Sequence, residues 1–386
     1  MRDGMTGPWL LVLASAVACG QTSHENLGNA ASAGSQSGPP DSGAGVSSGG
    51  AGEAGNAGNG GAGGVAADGA GCSGPLAEWT PIAGDLQTGV GSAAFASEAV
   101  LFSSVNTMPP GAIIPIDAQH PATPGTAIPF SAPAPVNVAT SNAGRFFTVG
   151  EDGTGKAQLS LIGSDGAVHS APSAVSALAL PRSAVAASTD RVVVASGDGS
   201  GTFVVDTFDA SLKPVGSQQL PHYSFGSVKS TPQGFQLAVV NVVGKSLEVY
   251  SLTDTGKSLL RAHPVPVSTV AVAWAGDSLI VNASGLVLIS PDDSRVNLDL
   301  PAAVATSMNL AWLNATSSPL GLVVGLAIDN HAYVGLIRSG AIEWDGPAET
   351  GVFADVRADA NSLGAYYVAT GRTRTLAYLG RQCPPQ

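Results

Sequence analysis

A strand–turn–strand unit recurs along most of this chain at a period near 44 residues, and that repetition restricts the fold more than any single motif. The cleanest copy is Ser183–Ala195, SAVAASTDRVVVA, with its turn at Asp190. Six others share its pattern of a small or polar lead, an apolar strand, a turn, and a more apolar strand. They are Ser92–Phe102 (turn at Glu98), Val136–Val149 (Gly144), Ser227–Val240 (Gly234), Val270–Val281 (Asp277), the looser Asn309–Val324 (Ser317–Pro319) and Phe353–Val368 (Asn361). Successive turns lie about 40 to 46 residues apart.

Third and fourth strands fit between the units. They include Gln158–Ile162, Phe203–Phe208, Leu247–Leu252, Leu286–Ser290 and Ala332–Ile337, and many are followed by a short polar turn such as Ser164–Gly166. Four strands per repeat of this length predict an all-β chain built as a β-propeller, with seven four-stranded blades; six or eight blades are the alternatives, because the sixth copy is irregular. Composition agrees: charged residues are 11% of the chain, so surface helix formers are scarce. A transmembrane β-barrel is the rival fold, disfavoured by missing aromatic girdles and by the polar Pro384-Pro385-Gln386 terminus.

The ends of the repeat region predict how it closes. The last copy offers three strands, ending at Thr375–Leu379, while Ala77–Ile82 precedes the first copy without a unit of its own. The early strand is expected to complete the last blade. Cys72 and Cys383 flank these two strands, and in an oxidising compartment a disulfide between them is expected, worth roughly 5 kcal/mol by loop entropy; two buried thiols are the alternative.

The N-terminal part reads as an address. Residues 1–18 carry Arg2 and the apolar run Trp9–Ala18, too short to span a bilayer as a helix but suited to an export signal. Ala16-Val17-Ala18-Cys19 matches a lipobox, so Cys19 is expected to carry lipid, whereas ordinary cleavage after Ala18 would leave it a free thiol. Residues 19–71 form a Gly/Ala/Ser-rich tether: residues 20–71 contain no aromatic residue and no Lys or Arg. Such a segment buries too little to order itself and spans roughly 40 Å as a coil. Residues 72–386 are the propeller domain. Gly20, not Asp, follows Cys19, so the retention rule that holds some lipoproteins in the inner membrane gives no reason to keep this one there, and the outer membrane is the expected site.

The lipobox at Ala16–Cys19, the tether and the seven-fold repeat together resemble those of exported β-propeller lipoproteins of high-GC Gram-negative bacteria, myxobacteria in particular. The resemblance is architectural and covers the whole chain. It implies a lipoprotein of the cell envelope and supplies no active site.

The expected partners follow from charge and from the geometry of the repeat. A net charge of −12, with 16 Lys and Arg scattered singly, excludes nucleic acid, and it leaves the lipid on Cys19 as the contact with the membrane. The six His are widely spaced, no C-x-x-C occurs, and no metal or cofactor fingerprint is present. Ser196–Phe203, SGDGSGTF, partly resembles the Asp-box of sialidases, with Ser200 where that motif has Gly; the box is a structural hairpin and implies no activity. The G-x-S-x-G match Gly45-Val46-Ser47-Ser48-Gly49 lies in the low-complexity tether, without the strand-to-helix context that a nucleophile motif needs, and signals no catalytic serine. In a propeller the loops leading into the inner strands ring one face around the central channel. The register puts Arg182, His222, Tyr223 and His263 there, with Trp274 and Trp312 along inner strands, either as ligand contacts or as inter-blade packing. The chain is therefore expected to be a monomeric, non-catalytic binding or scaffold module for a protein or glycan. A propeller hydrolase or lyase acting on polysaccharide is the alternative.

Overall fold

The run Arg191–Gly197, RVVVASG, is apolar at consecutive positions because both of its faces are covered. Val192 and Val194 pack with Phe147, Val149 and Leu159 on one side, and Val193 and Ala195 pack with Phe203, Leu237 and Val239 on the other. Side chains in a strand alternate between faces, so a strand roofed on both sides reads as an unbroken apolar run.

All regular structure among the described residues of the computed structural model is β-strand. The model describes the strands and most turns between Thr80 and Gly380; residues 1–79 and 381–386 and several connections, among them 132–137, 176–183 and 302–309, lie outside the described residues. The signal, Cys19, the tether, Cys72, Cys383 and Arg182 therefore fall outside them. No described helix is long and apolar enough to cross a membrane.

The first strand, β1 (Thr80–Ala83), joins the last sheet. Sheet 1 holds β2 (Gly91–Ala96), β3 (Ala99–Ser104), β4 (Gly111–Pro115) and β5 (Ile128–Phe130). Sheet 2 holds β6 (Val138–Asn142), β7 (Arg145–Glu151), β8 (Ala157–Gly163) and β9 (Val168–Ser170). Sheet 3 holds β10 (Ala184–Ala187), β11 (Arg191–Gly197), β12 (Thr202–Asp209) and β13 (Pro214–Pro221). Sheet 4 holds β14 (Tyr223–Thr231), β15 (Gly234–Asn241), β16 (Ser246–Leu252) and β17 (Lys257–Pro264). Sheet 5 holds β18 (Thr269–Ala275), β19 (Ser278–Ala283), β20 (Leu286–Ile289) and β21 (Arg295–Leu298). Sheet 6 holds β22 (Leu310–Ser318), β23 (Gly321–Ile328), β24 (His331–Arg338) and β25 (Ala341–Ala348). Sheet 7 holds β26 (Ala354–Asp359), β27 (Gly364–Thr370) and β28 (Arg374–Gly380), with β1 paired antiparallel on β28.

Sheets 1 to 6 are antiparallel meanders, sheet 7 is a three-strand meander completed by β1, and the sheets stand in a propeller-like arrangement. Their first strands touch in succession, β2 to β6, β6 to β10, β10 to β14, β14 to β18, β18 to β22 and β22 to β26, and β26 returns to β2. The apolar clusters lie between sheets. Leu101, Ile113, Phe146 and Ile162 join sheets 1 and 2, Ala238, Val240, Leu279 and Val281 join sheets 4 and 5, and Ile280, Leu288, Val324 and Leu326 join sheets 5 and 6.

Burial falls from the inner strands outward: β11 is almost wholly buried, while β13 and β17 expose most of their residues. Most strand prolines are in the outermost strands, Pro81 in β1, Pro129 in β5, Pro214 and Pro221 in β13, Pro264 in β17 and Pro347 in β25, and Pro115 ends the third strand β4. No first or second strand contains one. A proline lacks the N–H that would recruit a further strand, so it is tolerated at an edge and discourages pairing between molecules.

The Ala77–Ile82 expectation is met in the strand Thr80–Ala83, which gives sheet 7 its fourth strand. A fragment beginning at Gly84, compared with one beginning at Cys72, both carrying Cys383→Ser so that the expected disulfide contributes to neither, is expected to melt about 5 °C lower. It is also expected to self-associate through the uncovered edge of β28. Calorimetry and light scattering check this; equal midpoints and equal masses would show that β1 contributes nothing to closure.

Candidate functional site

The chain passes from sheet 3 to sheet 4 at Pro221-His222-Tyr223, on the face where the first strands begin. His222 is exposed and takes a left-handed backbone, φ 72°, which a non-glycine residue adopts at some cost. Its backbone is fastened on both sides: its N–H donates to Gly201 O at 2.8 Å, and its carbonyl accepts from Val242 N–H at 2.9 Å. Tyr223 also donates its N–H to Gly201 O, at 3.1 Å, and turns its side chain inward, where it is 7% exposed.

The Tyr223 ring ends on a carboxylate. Its hydroxyl donates to Glu248 Oε2 at 2.5 Å, and the Tyr250 hydroxyl donates to the same oxygen. Glu248 Oε1 accepts from Asn241 Nδ2 at 3.0 Å and from Ser246 Oγ at 2.9 Å. The two phenol oxygens are 2.9 Å apart and the rings meet edge to face at 6.5 Å. Lys257 sets its ammonium 4.4 Å from the Tyr250 ring centre and 5.3 Å from that of Tyr223, within cation–π range.

A carboxylate offers about four lone-pair sites, and all four are occupied here. Burial pushes the Glu248 carboxyl up, but the hydrogen bonds from Tyr223, Tyr250, Ser246 and Asn241 outweigh it and hold the group below its ordinary value. Burial and then Glu248 push both phenols up, while burial lowers the Lys257 amine against the pull of Glu248. The result is a stable anion with two phenols that resist ionising. It is a clamp across β14, β15 and β16, and no lone pair is left to take a substrate proton.

Of this group the sequence pointed only to Tyr223. Glu248 and Tyr250 carried a faint signal, since LEVYSL places a carboxylate inside an apolar strand of a chain poor in charge. Asn241, Ser246 and Lys257 carried none, because their convergence depends on the pairing of β15, β16 and β17.

The other predicted residues are dispersed. His263 is not on a connecting loop: it lies in β17, 1% exposed, between sheets 4 and 5. Its Nδ1 is 3.4 Å from Asp293 Oδ1, and its buried Nε2 has no hydrogen-bond partner. Trp274, in β18, is 7% exposed; its indole N–H donates to Ser227 O at 3.0 Å across the same seam, and Lys229 Nζ lies 4.2 Å from its ring centre. Trp312 is in β22, opposite Ala327. Phe203, the last residue of the Asp-box-like run, is fully buried against β14, and a Cβ at Gly226 would fall 2.5 Å from its ring. No group of three or more His, Cys, Asp or Glu among the described residues is placed to hold a metal ion.

A depression opens on the opposite face, where the inner hairpins turn. It measures about 370 Å³ and is bordered by Asn142 of sheet 2, Ser188, Thr189 and Asp190 of sheet 3, and Ser230 and Thr231 of sheet 4. Its rim is held at several points. Arg145 Nη2 donates to Thr189 O at 3.0 Å, joining the hairpins of sheets 2 and 3. Ser188 Oγ donates to Asp190 Oδ1 at 3.1 Å and accepts from Arg191 N–H at 3.2 Å. Arg191 makes a forked pair with Asp254 of sheet 4, Nε to Oδ1 at 3.0 Å and Nη2 to Oδ2 at 2.9 Å, and its hydrogen bond holds the Asp254 carboxyl below the ordinary range.

No protein-family model and no curated protein matches the sequence. Among solved structures, a structural-genomics target from Lactobacillus plantarum is 16% identical with a TM-score of 0.49, over 70% of this chain and 92% of that one. A protein of Bacteroides uniformis with a provisional 6-phosphogluconolactonase name is 12% identical with a TM-score of 0.49, over 71% and 89%. One of Bacteroides fragilis with the same provisional name is 11% identical with a TM-score of 0.46, over 72% and 92%. Likenesses at this level carry no argument about activity.

Glu248→Gln keeps the shape of the clamp but removes its charge, and is expected to cost roughly 2 kcal/mol in urea unfolding at pH 7. The cost should shrink as pH falls through the lowered Glu248 value, where the native group protonates as well. A constant difference down to pH 3 would contradict the charge-based account.

His263 works in the other pH range. Burial lowers its pKa, Asp293 opposes this, and Arg261 and Arg295 reinforce it. The neutral ring therefore contributes stability that is complete above the unfolded value of about 6.5 and is lost as pH falls through the lower folded value. His263→Gln is expected to flatten the decline of the urea midpoint between pH 7 and 5; an unchanged slope would exclude His263 as its source.

Proposed function

We propose that this protein is a cell-envelope lipoprotein whose seven sheets are the blades of a β-propeller acting as a non-catalytic binding or scaffold module. In this reading Cys19 carries the lipid, residues 19–71 are the tether, and residues 72–386 stand off the membrane, the outer one in preference to the inner. A Cys72–Cys383 disulfide lies beside the strands that close the ring, and the domain works as a monomer without a cofactor. The cyclic contact of the first strands supports the blade count.

The observation that carries the binding reading is the depression on the hairpin face. Side chains that both donate and accept hydrogen bonds line it, and three successive sheets hold it in place. Its lining includes one carboxylate, Asp190, whereas acid–base cleavage of a glycosidic bond ordinarily uses two. The carboxylate held between Tyr223 and Tyr250, Glu248, has its lone pairs filled. Both features favour recognition over the hydrolase or lyase alternative.

Two experiments test this. Cys19→Ala is expected to move the protein from the membrane fraction to the soluble one, and continued membrane association would defeat the anchor. Residues 72–386 used as bait on envelope extracts are expected to retain an envelope component unaltered. Recovery of a shortened glycan would replace the binding module with an enzyme.

A further inference from the structure

We infer that the depression on the hairpin face takes an uncharged, polyhydroxylated ligand, a neutral saccharide. This rests on the reading of the protein as a binding module and names the ligand class and its place. Of the residues expected around the connecting loops, His263 is buried in β17 and Arg182 lies outside the described residues, while this depression lies at the other end of the inner strands.

The chemistry of the lining selects the ligand. The Asn142 amide and the hydroxyls of Thr189 and Ser230 each combine donor and acceptor, as sugar hydroxyls do, and Thr231 Oγ1, whose proton goes to Gly234 O, adds an acceptor, so partners can match without a net charge on either side. Among the described residues on the border, Ala187 and Pro232 are the only apolar side chains and none is aromatic, which leaves little to hold an apolar molecule. Asp190 repels an anion, and the net charge of −12 adds to that. Arg191 Nη1 lies 3.7 Å from Asp190 Oδ2 and weakens the attraction for a cation.

The site is also set before a ligand arrives. Thr231 Oγ1 donates to Gly234 O at 3.3 Å, Ser188 bridges its own turn, and Arg145 ties Thr189 to the next hairpin. In the β6–β7 turn Ala143 and Gly144 both have positive φ, 50° and 71°, the tight geometry of a two-residue hairpin. Little conformational freedom is then lost on binding.

The full chain is to be titrated by calorimetry and saturation-transfer NMR with maltotriose, cellotriose and tri-N-acetylchitotriose, and with glucose 6-phosphate and sialyllactose as charged counterparts. At least one neutral trisaccharide is expected to bind with a Kd of about 0.1–10 mM, the range open to a small, hydrogen-bonded ligand. The charged sugars should bind at least tenfold more weakly. Ser230→Ala, at an exposed position, and Asn142→Ala are each expected to weaken binding about fivefold with the melting temperature unchanged. The inference is overturned if no neutral sugar binds, if the charged sugars bind equally well, or if binding survives both substitutions. A protein partner recovered from envelope extracts without any saccharide binding would remove the ligand class and leave the binding module. Cleavage of a bound trisaccharide would do the reverse.

Discussion

The structure depends on one requirement: each four-stranded sheet must have both faces covered. A meander of this size has two apolar faces and no core of its own, so it is stable only between neighbours. The second strands show how completely this governs the chain. In β15, Leu237 and Val239 belong to the cluster shared with sheet 3, and Ala238 and Val240 to the one shared with sheet 5. A row of sheets packed this way would leave an apolar face bare at each end. The contact of β26 with β2 removes both ends at once, and the pairing of β1 with β28 ties the first part of the chain to the last across that junction.

Apolar packing is non-directional and does not by itself fix how one sheet is set against the next. The polar contacts across the seams supply that direction. Arg145 reaches Thr189 O across the seam of sheets 2 and 3, Arg191 reaches Asp254 across that of 3 and 4, and Lys229 reaches Asp277 at 2.7 Å across that of 4 and 5. All three start near the inner hairpin and end on a turn of the following sheet. Partly exposed contacts of this kind, two ion pairs and one hydrogen bond to a carbonyl, add little stability, but they fix the positions of turns that are otherwise free to move. That is why the hairpin face, built only from turns, has a definite shape.

The division between what the sequence revealed and what it hid follows the range of each interaction. Strands and turns are local, and the copies at Ser183–Ala195 and Ser227–Val240 correspond to β10–β11 and β14–β15 within two residues, except that β14 begins four residues early, at Tyr223, which was expected on the connecting loop. Closure was legible because a strand without a unit and a unit without a strand are complementary. The sites were not legible, since each depends on which residues meet across strands or sheets. His263 illustrates the limit. Counting from the repeat puts it on a loop beside His222, but β17 extends through Pro264, and the pairing of His263 with Leu247 turns its ring into the seam. A shift of a few residues in where an outer strand ends separates an exposed loop residue from a buried one.

The two polar groups of sheet 4 show why a cluster of reactive side chains is not by itself a site. Glu248, Tyr223 and Tyr250 together look like acid–base machinery, yet three oxygens there share two protons and one negative charge, and the remaining lone pairs are taken by Asn241 and Ser246. Such a group gains nothing by exchanging these partners for a substrate, because each is a charge-assisted bond inside a shielded space. Ser230, at the other end of β14, is individually unremarkable, but it borders open space and meets water until something replaces it. The capacity to bind lies with the groups whose hydrogen bonds are left to solvent, and in this chain the fold has gathered those at the turns and spent the strong ones on holding the sheet together.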